Sequence, residues 1–100
     1  LKEFVRRCVG QRRIVWTYHS SMRMEDRSIA REDILGADFE IIEEYPAEQR
    51  LPSCLCLGRA RGGQAFHCVI AVDREADQVH LVTAYRPDPA KWEAGFRKRK

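Results

Sequence analysis

Along the chain the spacing of apolar residues changes character once. Leu1, Phe4, Val5, Cys8 and Val9 recur at three- and four-residue steps, which predicts a short amphipathic helix that Gly10 closes. Ile14 to Tyr18 alternates Ile14, Trp16 and Tyr18 on one face and is rich in β-branched and aromatic residues, so it reads as a strand. A helix of about two turns is expected from Ser20 toward Arg27, with His19 or Ser20 at its start, and a second helical piece from Ile29 to Ala37. From Phe39 onward the period is two. Phe39–Tyr45, Cys54–Arg61, Gln64–Asp73 and Gln78–Arg86 read as four strands joined by short polar turns, which makes them antiparallel neighbours. Gly62-Gly63 signals a tight two-residue hairpin turn, in a register that sets His67 opposite Gly58. A short helix around Lys91 to Phe96 is expected before the basic tail 97–100. The expected fold is therefore α+β: helices on one face of a small, mostly antiparallel sheet, in a single domain spanning 1–100.

Composition supports a folded globule, with 44% apolar and 33% charged residues in 100. No apolar run approaches the roughly 20 residues a membrane helix needs, and no leader is read at the N-terminus, so the expected location is cytoplasmic with no membrane partner. Cys8, Cys54, Cys56 and Cys68 lack zinc-site spacing, and the C-x-C pair is too close for an ordinary disulfide; they read as reduced, buried side chains. A metal site of His67 with Cys54, Cys56 or Cys68 is the weaker reading, so neither metal nor cofactor is expected. The net charge of +3 conceals a pattern. Residues 1–31 carry eight basic and three acidic side chains, 32–48 none and seven, and 49–100 ten and five.

His19, Arg23 and Arg27 follow one another at four-residue steps, within an arc of about 80° along about 12 Å of helix. Guanidinium forks match phosphate oxygens, and an imidazole beside them can exchange a proton near neutrality. The competing reading is a solvated face with Arg23 paired to Asp26 and His19 acting as a cap. His67 lies in the most apolar strand, either as a hydrogen-bonded core residue or beside a small pocket left by Gly58. Tyr85 and Arg86 close the last strand where side chains reach solvent, although Tyr85 equally fits a core ring with a wet tip. Arg59 and Arg61 flank the Gly-Gly turn and fit either a hairpin tip or a phosphate contact. Glu40, Glu43 and Glu44 read as solvated carboxylates or as a surface for a basic partner.

The run from Tyr18 to Ile29 (YHSSMRMEDRSI), then Arg31-Glu32-Asp33-Ile34, the strand Glu40–Tyr45 and the closing Thr83-Ala84-Tyr85-Arg86-Pro87-Asp88 resemble domain-of-unknown-function family 4258. The resemblance covers about residues 13–92. That family is grouped with the RelE-, BrnT- and MqsR-like ribonuclease toxins of bacterial toxin–antitoxin systems. The resemblance implies a metal-independent endoribonuclease acting on RNA and held in check by a cognate antitoxin protein. It carries catalytic roles to His19, Arg23, His67, Tyr85 and Arg86 and substrate-binding charge to Arg27; Arg59 and Arg61, read from the hairpin tip, are expected to add to that charge. His19 or His67 would then act as base or acid, Arg23 and Arg86 as phosphate clamps, and Tyr85 as proton donor or base stacker. A non-catalytic module using the same basic face for nucleic acid or an acidic protein is the alternative.

Overall fold

The computed structural model describes residues 1–46 and 50–100; residues 47–49, which include the end of the acidic segment, lie outside it. The elements follow the order α1 (Lys2–Gly10), β1 (Ile14–Trp16), α2 (Tyr18–Asp26), α3 (Arg31–Leu35), β2 (Glu40–Tyr45), β3 (Ser53–Arg59), β4 (Ala65–Asp73) and β5 (Gln78–Tyr85). They build a five-stranded sheet in the order β1-β5-β4-β3-β2, antiparallel except for β1, which runs parallel to β5 along one edge.

Strand alternation divides the side chains between two faces. Phe66, Cys68, Ile70 and Val72 of β4 meet Val5, Cys8 and Val9 of α1, Met24 of α2 and Ile34 of α3 in the main core. All four cysteines are free and buried, as their spacing predicts. On the opposite face Leu55, Leu57 and His67 are also buried, together with Trp92 from the C-terminal segment.

Helix α2 begins two residues earlier than the alternation predicts. Thr17 is its cap: the Ser20 amide donates to Thr17 Oγ1 at 3.0 Å and the Thr17 amide donates to Ser20 Oγ at 3.1 Å. This reciprocal pair satisfies two amide donors at the helix start. Tyr18 and His19 therefore lie in the first helical turn, neither in a strand nor at a cap.

The β3–β4 hairpin differs from its expected register by one residue. The Gly63 amide donates to Ala60 O at 2.9 Å and the Ala60 amide to Gln64 O at 2.8 Å, enclosing a three-residue loop, Arg61 to Gly63. Only Gly63 of the glycine pair takes positive φ, at 82°. A two-residue turn needs positive φ at its first central position, as in type II′, or at both, as in type I′, and Gly62 does not take it; a type I turn closed by one left-handed residue needs it only at the last position. As a result Gly58 pairs with Phe66 and His67 pairs with Leu57. The Phe66 ring fills the space beside Gly58, and His67 does not line the groove of about 250 Å³ that Gly58 borders with Glu40 and Arg97.

The C-terminal helix expected over 91–96 is absent. Gly95 and Phe96 adopt positive φ, 88° and 61°, which a right-handed helix cannot accommodate. Instead Trp92 bridges Arg99 in antiparallel fashion, with the Glu93 amide bonded to Lys98 O at 2.8 Å and the Lys100 amide to Lys91 O at 3.0 Å. The segment forms a strap across the sheet face opposite the helices. Glu40 and Glu43 hold it there, accepting hydrogen bonds from Arg97 at 2.6 Å and Arg99 at 2.8 Å. A bulge between Ile41 and Glu43 is what lets both carboxylates share that face, because without the extra residue their odd spacing would turn one inward.

Candidate functional site

The candidate site grows from the β4–β5 register, which sets His67 beside Tyr85. The Nδ1 of His67 lies 3.3 Å from Tyr85 Oη, and Nε2 lies 2.9 Å from the carbonyl oxygen of Phe96 in the strap. A carbonyl only accepts, so Nε2 carries the proton and Nδ1 presents a lone pair that accepts the Tyr85 hydroxyl proton. Burial lowers the imidazole pKa and keeps the ring neutral. Trp92 stacks edge-on against His67 at 4.5 Å and seals it from water.

Tyr85 itself remains partly exposed. Burial pushes its hydroxyl pKa up, while the charges of Arg99 and Arg27 pull it back. Arg99 grips Glu43 with two bonds, Nε to Oε2 at 2.8 Å and Nη2 to Oε1 at 3.1 Å, and lies 4.6 Å above the Trp92 ring. Tyr45 also donates to Glu43, at 2.5 Å. The Arg99 and Tyr45 bonds hold the Glu43 carboxyl below its ordinary pKa. A phenol with a neutral base behind it and guanidinium charge nearby can take or give a proton beside an anionic substrate.

The other predicted residues separate. Strand β1 pairs with β5 only as far as Leu81, which leaves later β5 carbonyls without a strand neighbour. Arg27, at the end of α2, fills that gap: its Nη1 donates to Ala84 O at 2.6 Å and to Thr83 Oγ1 at 3.3 Å. Arg86 reaches in the other direction and donates to Ser28 O at 3.0 Å. The two arginines clasp the end of α2 to the end of β5 and bring Arg27 to Tyr85. His19 and Arg23 stay on the exposed side of α2, and among the described residues neither enters an ion pair, so Arg23 does not take the expected Asp26 partner. Arg59 donates to Gly63 O at 3.2 Å and, with Arg61, lines a groove of about 220 Å³ that also contains Glu32 and Asp33 of α3. Carboxylates in that groove offset its attraction for phosphate.

Arg99, Glu43, Tyr45, Trp92 and the Phe96 carbonyl belong to the cluster but were not expected there from sequence. The one available signal was the acidic 32–48 segment against the basic tail: the basic partner of Glu40 and Glu43 is the chain's own strap. An apolar groove of about 430 Å³ between α2 and α3, lined by Met24, Ile29 and Ala30, contains none of the predicted site residues. Among the described residues no group of three or more His, Cys, Asp or Glu side chains is arranged to hold a metal ion, and no helix is long and apolar enough to cross a membrane.

Comparison with curated proteins and with solved structures returned no match to this chain. A family model described as "Domain of unknown function (DUF4258)" matches residues 16–86, from the end of β1 through the α2–β5 clasp to Arg86. The chain belongs to that family.

Proposed function

We propose that this protein is a metal-independent endoribonuclease, acting in the cytoplasm as the toxin of a bacterial toxin–antitoxin pair. The observation that carries the reading is the Tyr85–His67–Phe96 chain: the hydroxyl of a partly exposed tyrosine 3.3 Å from a buried imidazole nitrogen whose tautomer a backbone carbonyl fixes. In the reaction Tyr85 Oη takes the proton of a ribose 2′-hydroxyl as its own proton passes to His67 Nδ1. The 2′-oxygen attacks the adjacent phosphorus, the bond to the 5′-oxygen breaks, that oxygen leaves with a proton from water, and the hydroxide left behind takes the proton back from His67 through Tyr85. The products are a 2′,3′-cyclic phosphate and a 5′-hydroxyl end. Arg27 and Arg99 offset the negative charge that grows on the phosphate. The neutralising antitoxin works by covering this face.

Incubating purified protein with single-stranded RNA in excess chelator, and identifying the product ends, tests the proposal. Cyclic phosphate ends are expected. The full burial of His67, with both ring nitrogens occupied, favours a second reading in which the same surface binds without breaking a bond. Intact RNA after prolonged incubation selects that reading.

A further inference from the structure

Residues 91–100 are attached to the sheet by few bonds. Among the described residues, every backbone hydrogen bond of this strap closes within residues 88–100: the Glu93 amide to Lys98 O, the Phe96 amide to Glu93 O, the Lys100 amide to Lys91 O, and the Lys91 and Trp92 amides to Asp88 O. Its links to the sheet run through side chains, from Arg97 to Glu40, from Arg99 to Glu43 and from Phe96 O to the His67 ring. Both guanidiniums are more than half exposed, at 56% and 59%, where water and salt weaken an ion pair. Trp92 is the one buried residue of the segment, and its ring packs against the His67 imidazole at 4.5 Å and the Arg99 guanidinium at 4.6 Å. Phe96, whose carbonyl bonds His67, takes a φ of 61°, which a bulky side chain holds only where its surroundings enforce it. A segment with one apolar anchor, exposed ion pairs and no ladder to its neighbour opens well below the free energy of the sheet. A hairpin this short does not persist alone in water, so loss of the anchor releases all of it.

We propose that the strap is a switch on His67: it docks and undocks as one unit on the Trp92 anchor, and only the docked form holds the imidazole in a single tautomer behind Tyr85. Trp92 is then a positioning residue, acting through the His67 ring and the Phe96 carbonyl rather than on substrate. When the strap leaves, Nε2 loses its acceptor and water reaches the ring. Arg99 withdraws with the strap, while Glu43 of β2 and Tyr85 of β5 stay beside the imidazole. A solvated ring near a carboxylate takes up a proton more readily, and the lone pair that receives the Tyr85 proton is lost. The consequence for cleavage rests on the ribonuclease reading; the switch itself does not.

The test follows amide hydrogen exchange of the full chain and the titration of the His67 ring by NMR. In the parent protein the Glu93, Phe96 and Lys100 amides should exchange together, about tenfold or more faster than the ladder amides of β4, and salt at about 1 M should speed them while leaving β4 unchanged. Arg97→Gln, which removes one exposed pair, should speed them about twofold to fivefold at low salt. Trp92→Ala should release the strap and raise the His67 midpoint toward the ordinary value of about 6.5, and Trp92→Phe should restore both. Strap amides that exchange in step with β4 overturn the switch. So does a Trp92→Ala protein whose strap is released while His67 titrates as in the parent. Where Trp92→Ala does not fold, Arg97→Gln and high salt decide, and strap exchange unchanged by both overturns it. Cleavage of RNA, measured in parallel, separates the two readings and should fall about 10²-fold in Trp92→Ala. A parent protein that shows the exchange and titration behaviour but cleaves nothing removes the ribonuclease and leaves the switch, whereas parental cleavage by a Trp92→Ala protein with its strap released removes the switch alone.

Discussion

At Gly58 a Cβ would stand 2.6 Å from Cζ of the fully buried Phe66 ring. The ring has Phe39 edge-on at 6.4 Å and no free space to retreat into, so Gly58→Ala should destabilise the fold by about 1–3 kcal/mol. Gly62, where an added Cβ would meet nothing within 4 Å and φ is ordinary, should accept alanine with little change. Urea unfolding compares them: a lower midpoint for Gly58→Ala at unchanged slope is expected, and equal midpoints would refute the close contact. The same glycine marks where sequence reading stops. A Gly-Gly pair fits both a two-residue turn and a three-residue loop, and the choice moved Gly58 from His67 to Phe66, on the other face of the sheet. That Tyr85 stands at an accessible strand end was legible from Pro87; that the Phe96 carbonyl fixes the His67 tautomer was not, because no pattern links positions 67 and 96.

Among the elements, α2 depends on its cap. Thr17→Ala removes the side-chain acceptor for the Ser20 amide and should cost about 1 kcal/mol, seen as a lower thermal midpoint by circular dichroism. Thr17→Ser keeps the hydroxyl and should stay near the parent protein; equal losses in both variants would mean that the cap bond is not what matters. Hydrophobic period located all eight elements to within two residues at either end, since a buried face imposes it. It misplaced the start of α2 because Ile14, Trp16 and Tyr18 continue a two-residue alternation past the point where Thr17 and Ser20 begin the helix. The strap escaped the period for another reason: Gly95 and Phe96 take left-handed backbone, so an apolar spacing that suits a helix ends in a turn.

Across the whole molecule, the segregation of charge closes the fold. The acidic strand β2 and the basic C-terminus were legible as opposites, but only the Arg97–Glu40 and Arg99–Glu43 bonds, which the bulge in β2 allows, show that they meet within one chain. Acid should open this junction in two stages. Burial depresses the His67 pKa, so its contribution to stability is complete above the ordinary histidine value of about 6.5 and is lost as pH falls through that value toward the folded one. Glu43, depressed by Arg99, contributes above the ordinary carboxylate value of about 4.3 and loses that contribution as pH falls further. Urea midpoints should therefore drop between pH 7.5 and 5.5 and again toward pH 3.5, with Glu43→Gln reducing the second drop. Midpoints that hold level from pH 7.5 to 5.5 would show that His67 is not buried neutral under the strap.

The central claim is that Tyr85 exchanges a proton with RNA while His67 stands behind it. Its most direct test is the rate at which Tyr85→Phe cleaves single-stranded RNA in chelator, beside the parent protein. Phenylalanine keeps the ring and removes only the hydroxyl, so the fold should persist by circular dichroism while cleavage falls by about 10²–10⁴-fold. A folded Tyr85→Phe protein that cleaves at the parental rate, or a parent protein that leaves the RNA intact, contradicts the account.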